Sequence, residues 1–210
     1  MPRSTVSQPT VGRPRKFDDG TERQLLIDAA IRVMEQNDYS DISVNELLAE
    51  AQLSTRAFYR HFESKEALLE TFMLREAESV ARSLTRVVAA APDPVTAIDM
   101  WLERFLDVFH EPRRAKRATL LASAAARSAG PSAALMIEMR AIVTASLVDA
   151  LRSGHEAHLL FSPNPEADAY SIHSLVLAHR DAHRDGEHDR AETKAHVVRF
   201  GWAALQIDGR

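Results

Sequence analysis

The 210-residue chain contains no cysteine and only seven glycines. The lack of cysteine excludes disulfides, a cysteine nucleophile and thiolate metal sites. The scarcity of glycine argues against glycine-rich phosphate loops and favours helix. No apolar run approaches the roughly 20 residues that a membrane span needs. The polar start of the chain also lacks the apolar core of a signal peptide. We therefore predict a cytoplasmic protein without a membrane partner.

No excess of positive charge is present either, because the formal net charge is −4. This excludes a uniformly basic nucleic-acid-binding surface but not a local one. Residues 1–20 are predicted to form a flexible basic arm that carries Arg13, Arg15 and Lys16. The sequence Gly12-Arg13-Pro14 resembles arms that enter the narrow minor groove of A·T-rich DNA. The alternative is a solubilising tail without DNA contacts.

The rest of the chain shows helical periodicity and almost no strand signal, which predicts an all-α protein. Ser43 and Ser54 are predicted helix caps, and Thr21 with Gln24 resembles a capping box. The predicted helices span 21–36, 44–51, 55–61, 65–88, 95–109, 114–129, 132–152, 166–183 and 191–206, with a loop over 154–165. Pro92 and Pro94 break the chain and mark a candidate domain boundary.

The two short helices at 44–51 and 55–61 are joined by a tight turn, as in a helix-turn-helix whose second helix enters the DNA major groove. Phe58 and Phe62 lie four residues apart and are expected to anchor the second helix to the core. This leaves Thr55, Arg56, Tyr59 and Arg60 on or near its outer face. Residues 51–62 contain two arginines, one histidine and no acid, so this helix is locally cationic.

Four motifs resemble the TetR family of transcriptional regulators: Leu25-Leu-Ile-Asp-Ala-Ala30, Leu53-Ser54, Ala57-Phe-Tyr-Arg-His-Phe62 and Ser64-Lys65-Glu66. The resemblance covers residues 25–69. It implies a helix-turn-helix DNA-binding domain over 21–66 and a helical effector-binding and dimerisation domain over 67–210. It also implies contacts with DNA from Ser43, Val44, Asn45, Thr55, Arg56, Ala57, Tyr59, Arg60, His61 and Lys65, with Phe58 and Phe62 structural.

The chain departs from the family pattern at three places. Asp38 and Gln52 stand where the family usually has glycine, so both are expected to take backbone angles that favour glycine. Arg56-Ala57-Phe58 replaces the common Gly-Thr-Leu. A long cation in place of glycine should alter base preference, so no operator sequence can be borrowed from the family.

The C-terminal helices carry two further candidate surfaces that the resemblance implies. An effector cavity would be lined by Trp101, Phe105, Phe109, Met136, Met139 and Tyr170, with Arg140 and His173 as polar anchors. A homodimer interface would contain Leu175, Val176, Val197, Val198, Gly201, Trp202 and Leu205. The alternative for both sets is that the side chains belong to the chain's own core.

The resulting hypothesis is a one-component transcriptional repressor and not an enzyme. It would bind a palindromic operator in double-stranded DNA as a homodimer and be released by a small, mainly apolar effector. No cofactor and no metal are predicted. One alternative is a helical-bundle metal protein or enzyme that uses His179 and His183 with Asp185 and His188 nearby. No nucleophile-elbow glycines flank any serine, so an acyl-transfer enzyme is unsupported. A ligand-independent DNA-binding protein is the other alternative.

Overall fold

The structure, a computed structural model, describes residues 18–36, 43–111, 133–182 and 190–207. These parts of the chain are helical and include no strand, which confirms the all-α prediction. Eight helices lie in the described parts: α1 (Asp19–Gln36), α2 (Val44–Ala51), α3 (Thr55–His61), α4 (Lys65–Ala89), α5 (Pro94–His110), α6 (Ala133–Glu156), α7 (Pro165–Ala182) and α8 (Arg190–Ala204). Residues 1–17 of the predicted basic arm, Asp38 and the helix predicted over 114–129 lie outside the described residues. The arm was predicted to extend to residue 20, but Asp19 and Gly20 already belong to α1. Within the described parts, no helix is both long enough and apolar enough to cross a membrane.

The chain divides into two compact units between Lys65 and Glu66. Pro92 and Pro94, the candidate boundary, lie inside the second unit. They separate α4 from α5 because Pro94 occupies the first turn of α5, where its missing N–H is not needed. The Asp93 side chain caps this helix by accepting from the backbone N–H of Thr96 at 2.9 Å.

The first unit packs α1, α2 and α3 around an apolar core that includes Leu26, Val33, Leu47 and Phe58. The helix α1 begins earlier than the Thr21 capping box predicted. The Asp18 carboxylate accepts from the Thr21 backbone N–H at 2.9 Å and from the Thr21 hydroxyl at 2.8 Å. These hydrogen bonds lower the pKa of Asp18, because they favour its charged form. Asp18 is therefore the capping residue, and Thr21 lies within the first turn.

The second unit has its own core, to which α4, α5, α6, α7 and α8 contribute buried side chains. On a different face of α5, carboxylates pair with cations of α8. The Arg190 guanidinium contacts Glu103 and lies 3.0 Å from Asp107, and Lys194 lies 3.1 Å from Asp99. Asp107 also pairs with Arg104 of its own helix at 3.3 Å. The shared contact with Arg190 holds α8 against α5.

Gly154 was predicted to start a loop, but α6 continues through it to Glu156. A Cβ atom at this position would lie 2.6 Å from Leu160 Cδ2 and 3.3 Å from Pro94 Cβ. The glycine therefore permits a close approach of neighbouring side chains to the helix, and it does not act as a helix breaker.

We expect Gly154→Ala to lower the free energy of unfolding of the second unit by about 1–2 kcal/mol, because the methyl group displaces Leu160 from the core. The better helix propensity of alanine offsets only part of this loss. Urea denaturation followed by tryptophan fluorescence measures the effect, since both tryptophans lie in this unit. Gly201→Ala is the control, because its Cβ would lie an ordinary 3.7 Å from Ile172. Equal midpoints for Gly154→Ala and the unsubstituted protein would contradict the packing role.

Candidate nucleic-acid interface

The ends of α2 and α3 and the turn between them are fixed by local features that the sequence predicts. Ser43 Oγ accepts from the Glu46 N–H at 3.2 Å, and Glu46 Oε2 accepts from the Ser43 N–H at 2.7 Å, which confirms the capping box. Gln52 adopts the left-handed conformation with φ 53°, as expected for a residue at the position of a glycine. Ser54 Oγ accepts from the Ala57 N–H at 3.2 Å and caps α3.

The helix α3 has a buried side and an exposed side. Phe58 and Phe62 are buried and anchor α3, as the spacing predicts. Thr55, Arg56, Tyr59 and Arg60 are exposed, as predicted, and Tyr59 is 58% accessible. Its ring meets Phe58 edge-to-face, with 5.2 Å between centroids. The buried ring thus supports the exposed one from below.

Two residues that the resemblance assigned to DNA contact lie on the buried side of α3. Ala57 is buried, and the His61 side chain is only 8% exposed. Each residue of an α-helix is rotated by 100° from the one before it. With this rotation, Ala57 and His61 project from the same half of α3 as Phe58 and Phe62, and Thr55, Arg56 and Tyr59 project from the other half. This placement corrects the expectation that Ala57 and His61 face outward.

His61 and Arg60 both contact Glu22 of α1, a residue that sequence reasoning missed. Glu22 is only 5% exposed. Its Oε2 accepts from Arg60 Nη2 at 2.5 Å and lies 3.1 Å from His61 Nε2. Arg60 Nε also lies 3.9 Å from Asp19 Oδ1. We call Asp19, Glu22, Arg60 and His61 the Glu22 network, and it ties α3 to α1.

A signal for Glu22 is present in the sequence. Glu22 precedes Leu26 by four residues and falls in the same helical stripe as the apolar residues Ala29, Ala30 and Val33. A carboxylate in such a stripe needs a cationic or hydrogen-bonding partner when the stripe is buried. The periodicity could therefore have marked Glu22 as a paired residue, although it could not have named Arg60 and His61.

The remaining predicted contacts lie around α3. Asn45 is exposed and Val44 is partly exposed at the start of α2, while Lys65 is partly exposed at the start of α4. The Ser43 hydroxyl is engaged in the capping box, where it also donates to Glu46 at 2.8 Å. Arg13, Arg15 and Lys16 lie outside the described residues.

Comparison with known proteins identifies this arrangement. A family model described as bacterial regulatory proteins of the tetR family matches residues 26–72. The HTH-type transcriptional regulator EthR of Mycobacterium tuberculosis is 31% identical over 159 residues, which cover 72% of this chain and 73% of EthR. The chain belongs to the TetR family of transcriptional regulators.

Solved structures of other proteins share the fold. RolR in complex with resorcinol superposes with a TM-score of 0.68 at 18% identity, covering 91% of this chain and 95% of RolR. A TetR-family regulator from Mesorhizobium loti gives a TM-score of 0.67 at 20% identity, covering 91% of this chain and 98% of that one. In this family α2 and α3 form the DNA-binding helix-turn-helix, and the chain is a transcriptional regulator and not an enzyme.

One grouping of histidine and carboxylates within the described residues has the dimensions of a metal site: Asp19, Glu22 and His61, whose ligand atoms lie within 4.8 Å of one another. Arg60 already contacts both carboxylates, so the grouping is part of the Glu22 network. In the C-terminal unit, His179 Nδ1 lies 3.1 Å from Thr193 Oγ1. Its predicted partners His183, Asp185 and His188 lie outside the described residues.

Several residues predicted for the effector cavity of this TetR-family chain form one aromatic stack. Trp101 stacks on Phe105 with 4.8 Å between ring centroids, and Phe105 stacks on His173 at 5.1 Å. Phe109 meets Phe105 edge-to-face at 5.4 Å. Trp101 and Phe105 are buried and belong to the core of the unit. Burial, reinforced by the charge of Arg140, lowers the pKa of His173 to about 4.

The other predicted cavity residues lie nearer the surface. The Arg140 guanidinium lies over the Tyr170 ring, 4.2 Å from its centroid. Tyr170 and Met136 are about half exposed, and Met139 is partly buried against the core. The structure thus groups Trp101, Phe105, Phe109 and His173, places the Arg140–Tyr170 pair at a more exposed position, and leaves Met136 on the surface.

The predicted dimer residues divide in a similar way. Val176, Val197 and Leu205 are buried in the core of their own unit, and Gly201 is buried beside Ile172. This corrects their assignment to an intersubunit surface, because their side chains already have apolar partners. Leu175, Val198 and Trp202 are only partly buried. Sequence reasoning missed Phe200, which is half exposed and flanked by Arg199 and His196.

Proposed function

We propose that this TetR-family regulator is a cytoplasmic, one-component repressor. It binds a palindromic operator as a homodimer through α2 and α3, and a small, mainly apolar effector releases it. The observation that carries the proposal is the outer face of α3, where Thr55, Arg56 and Tyr59 are exposed together on the second helix of a helix-turn-helix.

The proposed DNA contacts divide into two classes. Phosphate contacts fix the position of a protein on the duplex, and contacts with base edges read the sequence. Tyr59, Asn45 and Lys65 are suited to phosphates, as is the backbone around Ser43 and Val44, whereas Thr55 and Arg56 are placed for base edges. Arg13, Arg15 and Lys16 would enter the minor groove from the arm. Ala57 and His61 are not part of this proposal.

The proposed effector site is the region of the aromatic stack and the Arg140–Tyr170 pair. Stacked rings offer apolar contact area, and a guanidinium supplies a donor for an oxygen atom of the ligand. The relative RolR was solved in complex with the ligand resorcinol, a small aromatic diol. An effector that prefers a conformation with misplaced α3 helices weakens DNA binding by its differential affinity, typically about 1–3 kcal/mol.

The proposed dimer has two-fold symmetry and would present its two α3 helices about 34 Å apart, one turn of DNA. We propose that the two subunits meet at the exposed part of α8 around Phe200, together with Leu175, Val198 and Trp202. Phenylalanine and arginine are both enriched at protein interfaces relative to the rest of the surface.

Selection of bound sequences from random double-stranded DNA tests the DNA-binding part of the proposal. We expect one palindromic motif, and we expect Tyr59→Ala to weaken binding to it by about tenfold or more. Tyr170→Ala is the matched control, because it removes a tyrosine ring that is also about half exposed, from the other unit. The placement of α3 would be contradicted if both variants bound the selected DNA as tightly as the unsubstituted protein, or if both lost the same affinity. In vitro transcription from a promoter that overlaps the motif then distinguishes repression from activation.

The burial of Trp101 and Phe105 favours one second candidate, a DNA-binding protein that responds to no effector. A thermal-shift screen with aromatic alcohols, aromatic acids and fatty acids distinguishes the two candidates. Stabilisation by any of these compounds together with release from the selected DNA supports the effector-responsive repressor. A screen without stabilisation supports the second candidate.

A further inference from the structure

The two arginines of α3 are in different electrostatic environments. Arg60 is bound to the buried carboxylate of Glu22 and lies near Asp19. Arg56 is exposed, and within the described part of the chain its guanidinium has no ion pair and no hydrogen bond. The charge of Arg60 is therefore largely neutralised within the protein, and the charge of Arg56 is not.

Arg60 is not readily released for DNA. Withdrawing its guanidinium would leave Glu22 paired with His61 alone in a site that is 5% exposed, and an undercompensated buried charge is strongly unfavourable. The Glu22 network thus gives Arg60 a structural role, in which it fixes the orientation of α3 on α1.

Arg56 is the second residue of α3, and the N-terminal residues of a recognition helix are the ones that reach base edges. It shares the exposed face with Thr55 and Tyr59, so no neighbouring side chain of α3 shields it. The planar fork of a guanidinium matches the O6 and N7 acceptors of guanine in the major groove, which is the commonest specific contact between arginine and DNA.

We propose that Arg56 reads one guanine in each half-site of the operator, and that Arg60 positions α3 without reading a base. This inference rests on the proposed function and assigns the base that the outer face of α3 selects.

The test uses the full-length protein and the operator obtained by selection, with each guanine of a half-site replaced in turn by 7-deazaguanine, which lacks N7 but pairs normally. At one position we expect the unsubstituted protein to lose about tenfold in affinity, and Arg56→Ala to lose nothing further. Arg56→Lys retains the charge and can still donate to N7 but lacks the planar fork, so it should discriminate between the two DNAs less than the unsubstituted protein does.

Arg60→Ala is the matched control on the same helix. It should weaken binding to both DNAs, because α3 is less firmly held, while the tenfold discrimination at the guanine persists. Hydrogen exchange of α3 separates this loss of order from a lost contact.

Two results would overturn the inference. One is undiminished discrimination at the guanine in Arg56→Ala. The other is a uniform weakening by Arg56→Ala on all sequences with a salt slope lower by about one, which identifies a phosphate contact. If no DNA is selected at all, the proposed function fails, and that outcome is distinct from both.

Discussion

Replacement of Glu22 by alanine is expected to lower the free energy of unfolding of the first unit by about 2–3 kcal/mol. The change leaves His61, with a side chain only 8% exposed, without its carboxylate partner, and it releases the Arg60 guanidinium. We place the value below the range for a fully buried pair because the Arg60 side chain remains 29% exposed to solvent.

Hydrogen exchange followed by mass spectrometry is the appropriate measurement. Trp101 and Trp202 both lie in the second unit, so tryptophan fluorescence does not report on α1 and α3. We expect exchange in peptides from these two helices to accelerate by roughly 30-fold or more, and affinity for the selected DNA to fall as α3 loses its orientation.

Glu50→Ala supplies the matched control, since it removes another carboxylate–arginine pair between helices of the same unit. Glu50 lies 2.5 Å from Arg32, and both side chains are partly exposed. Water can replace the lost partner there, so an effect of at most about 1 kcal/mol is expected. If Glu22→Ala and Glu50→Ala accelerate exchange equally, the Glu22 network has no special stabilising role.

The second large effect concerns the pH dependence of the other unit. His173 has a pKa of about 4 in the folded protein, because burial and the nearby charge of Arg140 disfavour the imidazolium, against 6.5 for an unperturbed histidine. Between these pH values the unfolded chain binds more protons than the folded chain. The free energy of unfolding therefore rises from pH 4 to pH 6.5, and this gain in stability is lost again on acidification. The difference between the two pKa values corresponds to about 3 kcal/mol in the free energy of unfolding.

Urea denaturation followed by tryptophan fluorescence at pH 7 and pH 4.5 measures this contribution. His173→Phe keeps a ring against Phe105 but cannot take up a proton. We expect the unsubstituted protein to lose about 2–3 kcal/mol more than this variant on acidification. Arg140→Met should reduce the difference, because one cause of the lowered pKa is removed. Parallel losses in the unsubstituted protein and His173→Phe would show that His173 does not control the acid sensitivity.

Features that depend on contacts within one helical turn can be predicted from the amino-acid sequence alone. The helix α2 runs over the predicted residues because Ser43 and Glu46 satisfy each other's backbone groups three residues apart. The left-handed Gln52 follows from its position in the turn. The four-residue spacing of Phe58 and Phe62 predicts an outer face with Thr55, Arg56, Tyr59 and Arg60, and all four residues are exposed. The family resemblance adds Ala57, which is buried, and His61, whose side chain is 8% exposed.

Contacts between residues far apart in the chain follow from tertiary packing and could not be predicted from local patterns. Glu22 and His61 are 39 positions apart, and Glu103 and Arg190 are 87 apart, so no local periodicity connects them. Gly154 is a predicted loop residue by its type, but in the fold Leu160 and Pro94 pack against it within α6. Val176 and Val197 are predicted interface residues by their pattern, but they are buried in the core of their own unit. Capping and helical spacing are short-range and are encoded locally. Burial, charge pairing and close packing depend on which surfaces the folded chain brings together.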